Sequence, residues 1–225
     1  MYFTTIIRDL NCQAIHLLTE GHFQRANAAL GSALEQLRAT AASSARPSCR
    51  LDKEQGLSFL YSTPLTTNCY DCIQGEFIFY DKAFLLDDLQ RSCYMLNFDR
   101  QLEIATSVVL YNMAVTYHLH GVLRGESSAL QRAAHLYDLC TQAVEESTID
   151  YAPVVQKLLL AAFNNMGHIN SLFFERERVS SCKGTVAVIM SGLDLCYLSA
   201  DEVDFFHLSL FVCSDSLKLN TAPAA

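Results

Sequence analysis

YNMAVTYHLHG, residues Tyr111 to Gly121, is the stretch that decides how this chain folds. Residues three and four apart share one face of a helix. Leu110, Met113, Ala114 and Tyr117 therefore form one patch, in which Ala114 admits a neighbouring helix closely and the larger side chains fill the space around it. Gly121, which has no Cβ, is expected to end the helix. Working outward, RQLEIATSVVLYNMAVTYHLH (100–120) reads as one long helix and GVLRGESS as a loop. ALQRAAHLYDLCTQAVEE (129–146) reads as a second helix with Leu130, Ala133, Tyr137, Cys140 and Val144 on one face. A short connection makes two such helices antiparallel.

The same construction recurs on both sides. TTIIRDLNCQAIHLLTE (4–20), stopped by Gly21, precedes HFQRANAALGSALEQLR (22–38). VVQKLLLAAFNNMGHINSLFF (154–174) is a third first-helix, with Asp150 as its expected cap and Pro153 in its first turn. A helix over Arg178 to Met190 follows, and Asp201 is expected to cap a last helix, EVDFFHLSLFVC. Between the first and second helix pairs the composition changes. Residues 39–50 are small and polar with Pro47, and LSFLYS (57–62) and EFIFYDK (76–82) have strand character. They predict a small β-hairpin that must pack on the helices, since an isolated hairpin is marginal. The expected organisation is an all-α chain: an N-terminal helix pair (1–38), a linker and β-hairpin insertion (39–98), further helix pairs (99–191), and a C-terminal capping helix with tail (192–225).

These helix pairs resemble the tetratricopeptide-repeat family. Leu110, Met113, Ala114 and Tyr117 stand at the W, L, G and Y slots of its first helix, and Ala133 and Tyr137 at A-x3-F of its second. Leu10, Gln13, Ala14 and Leu17 repeat the first set, followed by Phe23, Ala26 and Leu30; Phe163, Met166, Gly167 and Asn170 repeat it again. The small slots at 14, 114 and 167 are not 34 apart, Gln13 and Asn170 replace apolar residues, and no unit has the closing Pro. The layout is also similar to that of uncharacterised diatom repeat proteins, in its N-terminal pair, aromatic middle, NNMGHI helix and aromatic last helix ending in APAA. The resemblance implies a right-handed α-solenoid with a concave groove lined by Asn11, Ile15, Tyr111, Val115, His118, Asn164, His168 and Ser171, which would hold a peptide or partner helix. The insert or the last helix filling that groove is the alternative. Positions matching the family's carboxylate clamp hold Asn11, Ile15, Asn112, Ala161 and Asn165, with no cation among them.

The composition narrows the function classes. Hydrophobic residues make up 51% and charged residues 18%, enough for a real core, and the net charge of -8 argues against a nucleic-acid partner. No apolar run approaches the ~20 residues of a membrane helix, and MYFTTIIRDLNC lacks a basic start, so no signal peptide is read. Nine cysteines, an odd number, several on apolar faces, suit a reduced intracellular protein, most simply cytoplasmic. CYDC (69–72) supplies half of a zinc site or a redox pair, but no second CxxC completes it. His118 and His120, two apart on a helix, point to different faces, and no nucleophile with a nearby base is seen. The expectation is a non-catalytic protein-binding scaffold without metal or cofactor. Self-association through the aromatic last helix (Phe205, Phe206, Leu208, Leu210, Phe211) is the alternative.

Overall fold

The same kind of turn closes three alternate helices. In the computed structural model, which describes residues 2–42, 61–65, 77–86, 98–145 and 153–219, α1 (Tyr2–Thr19) leads into α2 (Phe23–Ala42). Likewise α3 (Phe98–Arg124) leads into α4 (Ser127–Glu145), and α5 (Pro153–Leu172) into α6 (Arg176–Gly192). Each first helix ends in one residue with positive φ: Gly21 at 76°, Gly125 at 64° and Phe174 at 59°. The next N–H then reaches back to the last turn: His22 to Leu17 O at 2.8 Å, Glu126 to Gly121 O at 3.0 Å, Glu175 to Asn170 O at 2.9 Å. These bonds satisfy carbonyls that a helix end otherwise leaves open. The left-handed backbone costs a glycine little but crowds the Cβ of any other residue. Phe174 accepts that strain with its ring 88% exposed.

The expected stop at Gly121 is therefore corrected to Gly125, which supplies the positive φ. Gly121 lies inside α3 and serves packing instead, since a Cβ there would fall 2.7 Å from Leu130 Cγ. The last helix, α7 (Ala200–Leu219), is capped not by Asp201 but by Ser199. Glu202 N–H donates to Ser199 Oγ at 3.3 Å while Ser199 N–H donates to Glu202 Oε2 at 2.9 Å, a reciprocal capping box. Asp150 lies outside the described residues; Pro153 opens α5, where its missing N–H would have no helical partner.

The described residues fall into two compact units. The first holds α1, α2, residues 61–65 and 81–86, α3 and α4. There α2 lies against α1 and α3, and α3 against α4. Its core face on α2 is Ala26, Leu30, Ala33 and Leu37, at steps of four, three and four. Ala14, Ala114 and Ala133, the expected small slots, are wholly buried. Two short strands, β1 (Ser62–Pro64) and β2 (Lys82–Phe84), pair antiparallel with Thr63 opposite Ala83. This is the expected small sheet, displaced toward the C-terminal ends of both aromatic runs; residues 57–60 and 76 lie outside the described residues. The second unit holds residues 77–80, α5 from Gln156, α6 and α7. Val179, Cys182, Val186 and Met190 form the buried face of α6.

Candidate functional site

The aromatic run of the insert is where the expected groove residues lead. In the first unit the segment 81–86 lies along α3 and closes the β1–β2 pair. A carboxamide carries one acceptor and one NH2 donor side by side, so it can bond both the N–H and the C=O of a single residue. Neighbouring strands do the same in a ladder. Asn112 does this to Phe84: the Phe84 N–H donates to Oδ1 at 2.9 Å and Nδ2 donates to Phe84 O at 2.8 Å. Nδ2 also donates to Asn11 Oδ1 at 2.7 Å, and Asn11 Nδ2 adds a bond to Phe84 O at 3.0 Å. Tyr111 donates its hydroxyl to Lys82 O at 3.3 Å and packs its ring 4.7 Å from that of Phe84.

The second unit builds the same grip on residues 77–80. Tyr80 N–H donates to Asn165 Oδ1 at 2.8 Å, and Asn165 Nδ2 donates to Tyr80 O at 3.1 Å. Asn164 Nδ2 donates to Ile78 O at 2.8 Å, its Oδ1 accepts from Ser209 Oγ at 2.7 Å, and Ser209 accepts from Ile78 N–H at 3.3 Å. Side chains alternate along extended chain, and the rings follow that rule. Phe77 sits over Gly167 and Phe79 lies 5.8 Å from the His168 ring, both on α5. Tyr80 stacks on Phe206 of α7 at 5.1 Å. The small residue Gly167 thus makes room for an aromatic ring of the insert.

The Tyr80 hydroxyl ends on a buried charge pair. It donates to Glu202 Oε1 at 2.6 Å, while Lys157 Nζ stands 2.9 Å from Glu202 Oε2. The two charged side chains are 7% and 2% exposed, so Glu202 is not the solvated helix-end charge its place in the sequence suggests. An ion pair this buried persists only when hydrogen bonds complete it, and the Ser199 N–H and Tyr80 hydroxyl do so here.

All eight expected groove residues are buried. Asn11, Tyr111, Asn164 and His168 meet the chain's own insert. Ile15 and Val115 are core positions, His118 Nδ1 lies 3.4 Å from the Tyr137 hydroxyl, and Ser171 donates to His168 O in its own helix. Asn112 and Asn165, absent from the expected set, make the two-bond grips. Their signal was present in the sequence: each precedes Met and then a small residue, as NMA and NMG. Ser209, Lys157 and Glu202 carried no such signal.

Two of the described cysteines are held in the thiol form by their surroundings. Burial pushes the Cys140 thiol up, and its Sγ donates to Ser107 O at 3.2 Å. The exposed Cys196 thiol is raised first by its hydrogen bond to Asp194, whose carboxyl is lowered by the Cys196 N–H. CYDC, with Cys49 and Cys93, lies outside the described residues. Among the described residues no three His, Cys, Asp or Glu converge as a metal site, and no helix is long and apolar enough to cross a membrane. Comparison of the chain with family models, with curated proteins and with solved structures finds no match.

Proposed function

We propose that this chain is a non-catalytic protein-interaction scaffold, a helical-repeat array of tetratricopeptide-like kind that holds extended polypeptide by its main chain. The observation that supports this most is the doubled carboxamide grip, Asn112 on Phe84 and Asn165 on Tyr80. Main-chain bonds fix an extended strand in place while side-chain pockets choose its sequence. Such a grip favours an extended peptide over a partner helix, whose main chain is already bonded internally. The three alike helix-to-helix turns support the repeat reading. Cys140 and Cys196 are thiols outside any disulfide, which suits a reducing, cytoplasmic setting. Affinity capture of the full chain from native lysate, followed by reconstitution with each recovered protein, tests the proposal. A stoichiometric complex is expected; recovery of no protein that reconstitutes overturns it.

Self-association is a second reading, favoured by Leu208 and Phe211, which are 53% and 62% exposed on α7. Phe206, expected to share that surface, is wholly buried against Tyr80. A concentration-dependent dimer in sedimentation that Phe211→Asp abolishes is the expected result under this reading.

A further inference from the structure

We propose that the outer face of α7 binds a second copy of this chain, the two helices pairing antiparallel with Asp204 of each against His207 of the other. The proposal rests on the self-association reading above and gives it a geometry.

The helix is turned against its own chemistry. Its buried face carries Glu202, Phe206 and Ser209, with the carboxylate on Lys157 and the hydroxyl on Asn164. Its exposed face carries Ala200, Asp204, His207, Leu208 and Phe211. A helix that presents apolar side chains on two opposite faces is one that packs on both. Three features point to a copy of the chain as the second neighbour. The first is spacing. Ala200, Asp204, His207 and Phe211 follow one another at steps of four, three and four, the stripe by which paired helices meet. This spacing reads the same in both directions, so the stripe fits its own copy antiparallel, and each contact occurs twice about the twofold axis. The second is size and charge. In that register Ala200 faces Phe211, small against large, and Asp204 faces His207, acid against base, with Leu208 beside the seam. A parallel pair would set Asp204 against Asp204, which like-charge repulsion opposes. The third is that both groups are available. Asp204 and His207 are exposed, and neither side chain has a hydrogen bond or ion pair among the described residues.

Sedimentation equilibrium of the full chain over a concentration series tests the pairing. The wild type is expected to form a dimer. Asp204→Lys sets a cation against each His207 and is expected to weaken that dimer about tenfold or more, because two opposed pairs are lost together. His207→Asp alone is expected to weaken it likewise. The double variant Asp204→Lys, His207→Asp exchanges the signs and is expected to bring the dimer back to wild-type strength. These side chains are exposed and unpaired in the single chain, so circular dichroism should show all variants folded alike. A dimer that Phe211→Asp abolishes but that either charge variant leaves intact, or that the double variant fails to restore, overturns the antiparallel register and keeps the self-association reading. A wild-type chain that stays monomeric at every concentration overturns both, and leaves the scaffold proposal standing. A monomeric wild type that binds a purified lysate protein through Phe211 assigns the face to a different partner and overturns the second copy.

Discussion

Asn112 is the residue through which the grip can be tested as a matter of energy. In Asn112→Ala the Phe84 N–H loses its acceptor and Asn11 Oδ1 loses its donor, while Phe84 O keeps the bond from Asn11. All three residues are wholly buried, so water cannot replace the lost partners cheaply. Each buried group so deprived costs about 1–3 kcal/mol, and the two together roughly 2–6 kcal/mol. That is a large share of a typical stability of about 5–15 kcal/mol. Asn112→Asp is the sharper probe because it keeps the shape. One carboxyl oxygen still accepts from Phe84 N–H, but the other now faces Phe84 O and Asn11 Oδ1, both acceptors, where Nδ2 stood at 2.8 and 2.7 Å.

Burial and two acceptors both disfavour the carboxylate, so the folded pKa of this Asp must rise above its unfolded value of ~3.9. Between the two values the folded state binds more protons than the unfolded state. Linkage then gives the sign: the protonated, hydrogen-bonding form keeps its stability below the unfolded pKa and loses it as pH rises through the folded one. Urea unfolding of wild type, Asn112→Ala and Asn112→Asp from pH 4 to 8, compared at each pH, reads this directly. The Asp deficit should be smallest at pH 4 and grow with pH, while the Ala deficit stays level. A flat Asp deficit, or an Ala cost below about 0.5 kcal/mol, would refute the buried two-bond grip.

Gly167→Ala should destabilise by roughly 1–3 kcal/mol despite alanine's better helix propensity, because its Cβ meets the Phe77 ring at 2.6 Å. Thermal melts of the Gly167→Ala, Phe77→Ala double mutant should show the clash relieved, and additive effects would refute the contact. Phe174→Gly should stabilise by about 0.5–1 kcal/mol, since it frees a φ of 59° and removes an 88% exposed ring, whereas Gly125→Ala should cost about 1 kcal/mol. Chemical denaturation checks both signs. Lys157→Met should cost about 3–5 kcal/mol by stranding Glu202 at 2% exposure, and adding Glu202→Gln should recover much of the loss; equal losses in single and double mutants would show that the charges do not act as a pair.

Helical periodicity made the helix pairs legible because a helix shows its buried face at a fixed spacing. The small slots Ala114, Ala133 and Ala26 are buried as expected, while Met113 and Tyr117 beside Ala114 are only half-buried. The stops were harder to place. Gly121 and Gly125 are four apart near one helix end, and sequence does not reveal that the first is needed for Leu130 and the second for its φ. At Phe174 the misdirection is reversed, because a left-handed residue with a bulky side chain leaves no compositional mark. The groove residues were found by their offset from the small slots, which picks a helix face but not its occupant. Hence Asn11, Tyr111 and Asn164 were legible as lining residues, while Asn112 and Asn165, one position along, were not seen as the grips. Glu202 and Lys157 were invisible for a plainer reason. They lie 45 residues apart (202 − 157), and a charge reads as solvated until its partner is placed beside it.

The Tyr80 hydroxyl also answers a problem that the aromatic run creates. Phe77, Phe79 and Tyr80 are similar in size, so hydrophobic burial alone separates the possible registers of this segment weakly. A slip of one residue would turn Ile78 and Tyr80 toward α5 and the two phenylalanines toward α7, because side chains alternate. Apolar packing tolerates such exchanges, but buried polar groups do not, since each must find its partner or forfeit its desolvation energy. The main-chain bonds from Asn165, Asn164 and Ser209 would form in either register, since every residue of the segment has an N–H and a C=O, but the tyrosine hydroxyl reaches Glu202 in the observed one alone. After the slip a phenylalanine would stand where the tyrosine did, and Glu202 would lose the hydroxyl beside its charge. The hydroxyl on Glu202 therefore chooses one register among those that the rings and the main-chain bonds alone would accept.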